Sequence, residues 1–281
     1  MSRSGYVETP RDWVLLERRG PFPFVTLERF RRPDGTEVTW RSRLHRKWRN
    51  HLDTGNRSTW WAPGAIGWWI AALFMVGSTC FALGALPGYL DLVGTDADNI
   101  TFFVGSIFFT SAGLLQYLEV ANADRTPARD GRRARMRLLT WEPGRIDWWA
   151  TAVQLAGTVF FNISTYHALA DGLSATEVNQ LVWRPDVYGS ICFLVASGLA
   201  WAEVGHRWVS WQPRSLSWWI ALLNLGGSVA FGVSAFAAKV VSGSGELRNV
   251  ELVDLGTFLG ALGFLVGAFL LLPERTGDAE S

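Results

Sequence analysis

Six stretches of the chain, at about 64–86, 100–119, 148–170, 187–204, 218–238 and 253–272, are apolar for close to the roughly 20 helical residues that span a hydrocarbon core. None carries Lys, Arg, Asp or Glu except near its ends. A water-soluble core would have to partner six wholly apolar helices with amphipathic ones, and the sequence offers almost none. The chain reads as an all-α polytopic membrane protein with six transmembrane helices. The first run follows some sixty polar and charged residues, unlike the early apolar segment of a signal peptide. The first helix is therefore expected to serve as its own insertion signal.

Orientation follows from the basic residues. Thirteen Lys/Arg fall in 1–60, seven in 121–147, two in 204–217 and one after 272, which puts 23 of 26 on one side. The alternate loops 87–99, 171–186 and 239–254 hold only Arg184, Lys239 and Arg248, against nine acidic residues. Both termini are expected in the cytoplasm of a bacterial cell, with the acidic loops outside. A net charge of +1 hides this polarity.

The apolar part repeats. An opening W-x-P-x4-W-W-x7-G-[ST]-x2-F occurs as Trp61, Pro63, Trp68, Trp69, Gly77, Ser78 and Phe81. It recurs as Trp141, Pro143, Trp148, Trp149, Gly157, Thr158 and Phe161, then as Trp211, Pro213, Trp218, Trp219, Gly227, Ser228 and Phe231. A second helix of form G-[SA]-x2-F-x5-L-x3-E follows each time. It reads Gly105, Ser106, Phe109, Leu115 and Glu119, then Gly189, Ser190, Phe193, Leu199 and Glu203. The third copy reads Gly260, Ala261, Phe264, Leu270 and Glu274, and is preferred over a register on Gly256-Thr257 because it recovers both the Phe and the Glu. Two spans per unit give three parallel-repeat helical hairpins, over 61–120, 141–204 and 211–274, arranged as a three-fold ring or as a row.

The motif residues have physical readings. Trp at a helix start near the membrane–water boundary anchors depth and tilt, because its ring is apolar and its N–H still needs a partner. Proline there removes a donor that would be unpaired anyway. At about 100° per residue, Trp68 lies about 180° from Gly77 and Trp69 about 80° from it. The first indole of each pair (Trp68, Trp148, Trp218) is thus expected toward lipid, and the second (Trp69, Trp149, Trp219) toward the protein. Gly77, Gly157, Gly227, Gly105, Gly189 and Gly260, with Phe81, Phe161 and Phe231, mark helix-packing faces where small residues let backbones approach. Glu119, Glu203 and Glu274 share the inward face of their helices and sit at C-termini, where the helix dipole disfavours an acid. Three readings stand for them: solvated boundary residues, a polar clasp to Trp N–H or Arg, and an ion site. Gln154, Asn224 and Asn162 are the sparse mid-helix polar groups, expected to hydrogen-bond between helices. Cys80 and Cys192 lie inside apolar helices, and neither they nor His45, His51, His167 and His206 have metal-ligand spacing.

Residues 1–60 form a basic N-terminal arm. Pro33-Asp34-Gly35 between two strand-like runs predicts a β-hairpin. Beyond it, Leu44, Trp48 and Leu52 recur at helical spacing among Arg43, Arg46, Lys47 and Arg49. That pattern predicts an amphipathic helix on anionic lipid head groups rather than a nucleic-acid contact.

The repeated Trp61-x-Pro63…Trp68-Trp69…Gly77…Phe81 with Gly105-Ser106-x2-Phe109 resembles the YrhK-like family of small bacterial integral membrane proteins, three times over. The resemblance implies a two-helix membrane unit and no particular activity. No G-x-S-x-G, H-E-x-x-H, Walker A or dinucleotide motif is present. The expectation is a non-enzymatic membrane protein without cofactors, a structural module or one that binds an unidentified membrane-protein partner. The alternative is an ion or small-solute channel at the interface of the three hairpins.

Overall fold

The computed structural model describes residues 12–43, 58–123, 136–241 and 247–277. Among the described residues three strands come first: β1 Val14–Arg19, β2 Leu27–Arg31 and β3 Glu37–Arg41, in one antiparallel sheet of order β1-β2-β3. The hairpin at Pro33-Asp34-Gly35 joins β2 to β3. Gly35 takes the left-handed conformation at φ 84°, and Asp34 Oδ1 accepts from the Thr36 backbone N–H at 2.9 Å. Strand β1 extends this hairpin on its other side; its run Val14-Leu15-Leu16 lacks alternation, which is why it reads poorly as a half-buried strand. The amphipathic segment expected around Leu44, Trp48 and Leu52 lies outside the described residues.

Six long helices follow among the described residues: α1 Ile66–Gly84, α2 Thr95–Ala121, α3 Ile146–His167, α4 Arg184–Gly205, α5 Leu216–Ala237 and α6 Val250–Gly277. Helix α4 begins earlier in space than its apolar run suggests. The short helix Ala175–Glu177 passes through a π-helical stretch, Val178–Trp183, straight into it. A capping box starts that extension: the Ser174 hydroxyl accepts from the Glu177 N–H, and Glu177 accepts from the Ser174 N–H. Part of the expected loop 171–186 is thus helix.

Five of these helical units are long and apolar enough to cross a membrane: α1, α2, Ala175–Gly205, α5 and α6. Helix α3 has 22 residues but carries Asp147, Gln154, Asn162 and His167, so by composition it falls short of the other five.

Each long helix packs on the next in the chain, and α1 packs on α6. The bundle is therefore a closed ring. Its centre holds one phenylalanine from each helix. Phe81, Phe161 and Phe231 form a triangle with centroid separations of 6.2, 6.0 and 6.0 Å. Phe109, Phe193 and Phe264 form a second triangle at 6.2, 5.9 and 5.5 Å. Contacts of 5.4, 5.0 and 5.7 Å between the two rings of each helix pair (α1–α2, α3–α4, α5–α6) join the triangles into a prism. All six rings are buried, and aromatic pairs at such distances contribute about 0.5–1.5 kcal/mol beyond area burial.

The glycines explain how six rings reach one axis. In the first pair, a Cβ on Gly77 would stand 2.6 Å from the Phe109 ring and 3.0 Å from the Gly105 carbonyl oxygen. A Cβ on Gly105 would stand 3.0 Å from the Phe81 ring. Each Phe thus lies over the bare glycine of its partner helix. Gly157 and Gly189 do the same with Phe193 and Phe161, and Gly227 and Gly260 with Phe264 and Phe231. The G-x3-F spacing is one swap made three times. Cys80 and Cys192 are free thiols against Gly105 and Gly157 in these seams.

Between the pairs, the seams differ. Across α2–α3, Ser106 meets Thr165 at 2.9 Å and Asn162 Nδ2 donates to Thr110 at 2.7 Å. Across α4–α5, Ser197 meets Ser228 at 2.7 Å and Trp183 Nε1 donates to the Ala235 carbonyl at 2.9 Å. Ala261 and Ala268 of α6 and Ile70 and Phe74 of α1 belong to the shared buried core, where Phe74 meets Phe109 at 5.5 Å. The Asn224 side chain lies against Gly267 of α6.

Candidate functional site

The end of the bundle that faces the arm gathers the three aromatic turns, the three glutamates and the docked sheet. Each aromatic turn is built alike. The N–H of the second residue after the proline returns to the carbonyl before it: Ala65 to Ala62 at 2.9 Å, Arg145 to Glu142 at 3.0 Å, Ser215 to Gln212 at 2.9 Å. Proline at the second position of such a turn pre-sets its φ. Three indoles then stack edge to face around it. Trp61, Trp68 and Trp69 are linked at 5.1 and 5.0 Å, Trp141, Trp148 and Trp149 at 5.1 and 4.9 Å, and Trp211, Trp218 and Trp219 at 5.2 and 5.1 Å.

The proline does more than vacate a donor. Its carbonyl accepts the N–H of the second indole in every copy: Trp69 to Pro63 at 2.9 Å, Trp149 to Pro143 at 3.1 Å and Trp219 to Pro213 at 2.9 Å. The first indole reaches eight residues back, Trp68 to the Trp60 carbonyl at 2.9 Å and Trp218 to that of Ser210 at 3.2 Å. In the middle copy the matching segment is taken by Tyr117, whose hydroxyl accepts from the Thr140 N–H at 3.1 Å. Trp148 Nε1 accordingly has no acceptor among the described residues.

The expected division of labour within each Trp pair is reversed. Trp218 and Trp148 are buried, while Trp69 and Trp219 are more than two-fifths exposed. Trp68 is only half-buried and Trp149 likewise. The angular reasoning from Gly77 assumed one packing face per helix, but a helix in a closed ring has two. Trp148 fills the seam toward α2, against Tyr117, Val120 and Ala121, and Trp218 fills the seam toward α4, against Trp201 and Val204.

Two of the glutamates hold the arm. Glu274 is 1% exposed, and the Arg43 guanidinium donates to both of its oxygens, Nε at 2.9 Å and Nη2 at 3.2 Å. Ser217, at the start of α5, donates to the same carboxylate. Glu203 is 2% exposed and accepts from the Ser42 hydroxyl at 2.7 Å. Adjacent residues of the arm thus grip the last turns of α4 and α6. Glu119 is half-buried beside Arg275 at the start of α1, where both approach Gly67. In the middle copy, the residue equivalent to Gly67 and Ser217 is Asp147, buried and bound by Arg145 at 2.7 and 3.1 Å.

A further contact joins the sheet to α4: Thr26 Oγ1 lies 2.8 Å from His206 Nδ1. His206 follows the last turn of α4 in the left-handed conformation, φ 53°. Burial, then the positive charges of Arg41 and Arg19, push its imidazole down to about 4. A folded value below the ordinary 6.5 means that the unfolded or undocked form binds the proton first. Docking strength is therefore full above pH 6.5 and falls as the pH drops toward 4. Limited proteolysis of the arm is expected to speed up between pH 7.5 and 5, and His206→Gln to flatten that part of the profile. A proteolysis rate independent of pH in the wild type would contradict this.

Sequence reasoning found the glutamates and left their partners open. It missed Ser42 and His206 and read Arg43 only as part of an amphipathic surface. Contacts over 161 and 231 residues leave no local periodicity to detect. Among the described residues, no group of three or more His, Cys, Asp or Glu could hold a metal ion. Set against family models, curated proteins and solved structures, the chain matches none.

Proposed function

We propose that this chain is a six-span protein of the bacterial cytoplasmic membrane, built as three parallel two-helix repeats with the arm and both termini in the cytoplasm. It acts without catalysis, as a structural or partner-binding module, and its membership of the YrhK-like family is part of the same proposal. The observation that carries this reading is the phenylalanine prism: the axis, where three equivalent hairpins would place a pore, is occupied by six mutually contacting rings. Helix α3 enters the membrane in this reading despite its composition, supported by partners for two of its polar side chains: the Asn162 amide N–H donates to Thr110, and Asp147 is neutralised by Arg145. Satisfied polar groups at helix contacts are tolerated in lipid.

Flux separates this reading from the channel alternative. Purified protein in liposomes is expected to pass no ion or small solute above the level of empty vesicles. Reproducible flux that scales with the amount of protein would replace the module reading with a channel one.

A further inference from the structure

The three aromatic turns differ at the two residues that follow the proline. They read Gly64-Ala65, Gly144-Arg145 and Arg214-Ser215. In the middle copy the arginine turns inward and is 4% exposed. Two carboxylates neutralise it there, Asp147 at 2.7 Å and Glu142 at 2.6 Å. The third copy has lost both acids: Gln212 stands at the position of Glu142, and Ser217 at that of Asp147. Its arginine, Arg214, is exposed and makes no ion pair among the described residues.

An open depression of about 540 Å³ lies on this turn, lined by Trp211, Gln212, Pro213, Arg214 and Ser215. Trp211 is 79% exposed, and Trp208 and Val209 stand out from the same loop. Arg214 stands one residue before the position of Arg145, where the sister copies have glycine, and its charge is left open within an aromatic, apolar surround. That combination suits an anion carrying its own apolar body.

We propose that this cleft binds the head group of an anionic phospholipid, its phosphate on the Arg214 guanidinium and its glycerol and upper acyl chains against the exposed indoles. Guanidinium meets phosphate through two parallel N–H···O bonds, which fixes the head group as well as attracting it. Gln212 adds a neutral donor where the sister copy has a repelling carboxylate. A free phosphate would gain nothing from Trp211, Trp208 or Val209, whereas a lipid covers them. The inference rests on the membrane reading and says which lipid class sits where.

The test uses the full-length protein in a neutral detergent, with thermal unfolding followed as phosphatidylglycerol, phosphatidylcholine or inorganic phosphate is added. Phosphatidylglycerol is expected to raise the melting temperature, and Arg214→Gln to move the half-maximal lipid fraction up roughly five-fold, the weight of one well-placed basic residue. Arg214→Lys keeps the charge and most of the response, and Arg184→Gln, at the other end of the bundle, keeps all of it. An Arg214→Gln response equal to wild type overturns the site. So does an equal shift from phosphatidylcholine, or one reproduced by inorganic phosphate. Vesicle flotation separates this from the parent reading: failure to float on lipid of either charge sinks the membrane assignment, and flotation on both without a phosphatidylglycerol-specific shift sinks only the site.

Discussion

Arg43→Ala is expected to destabilise the docked arm by about 3–5 kcal/mol, the cost of removing one partner of a buried ion pair. Glu274 is 1% exposed, so once the guanidinium is gone the carboxylate loses a two-point contact and the site must admit water or release the arm. Each route shows in protease sensitivity of residues 12–43 before it shows in unfolding of the helices. The double variant Arg43→Ala/Glu274→Gln is expected to recover much of the loss, because it removes the stranded charge as well as the pair. A double-mutant cycle reads this directly. Strictly additive effects would mean that the two side chains are neighbours without being coupled.

The second large effect lies in the prism. Phe193 is 1% exposed and touches Phe161 at 5.0 Å, Phe264 at 5.5 Å and Phe109 at 6.2 Å. In a water-soluble core, Phe→Ala costs about 3–5 kcal/mol, of which transfer from water is a large part. A helix separated from its partners in lipid stays in an apolar solvent, so that part is lost and the cavity remains. At about 24 cal/mol per Å³ over the roughly 100 Å³ between the two side chains, the cavity accounts for about 2.4 kcal/mol. Phe193→Ala should thus lower stability by about 2–3 kcal/mol in a lipid or detergent unfolding titration, with Phe193→Leu losing less than half of that. A loss within about 0.5 kcal/mol, the range of ordinary surface changes, would show that the rings fill the axis without holding it.

Much of this architecture is legible in the residues, and the limits are physical. Apolar runs locate the long helices to within a few residues, because burial along a whole helix requires them. The recurring Gly and Phe mark the packing faces, since a G-x3-F spacing sets a bare backbone and a large ring on the same side. Which partner each face meets is another matter. Nothing in α1 announces that α6 is its neighbour, and that contact turns a row into a ring. The misassigned Trp faces have a related cause: Trp148 and Trp218 are buried against the preceding helix in the chain, a second packing face that the spacing from Gly77 does not reveal. Strand β1 hid behind a non-alternating run, and the Ser174–Glu177 capping box was present in the letters but read as loop.

The closed ring also has a consequence in time. Arg43 and Glu274 lie 231 positions apart, so the arginine leaves the ribosome long before its carboxylate. At about 5–20 residues per second the interval is roughly ten to fifty seconds. Throughout it the arm has been made and its last attachment point has not. Thr59 likewise waits for Thr276, its hydroxyl partner at 2.9 Å. The grip of Arg43 on Glu274 can form only after the final helix has been delivered, so a fully docked arm marks a chain whose last hairpin is in place.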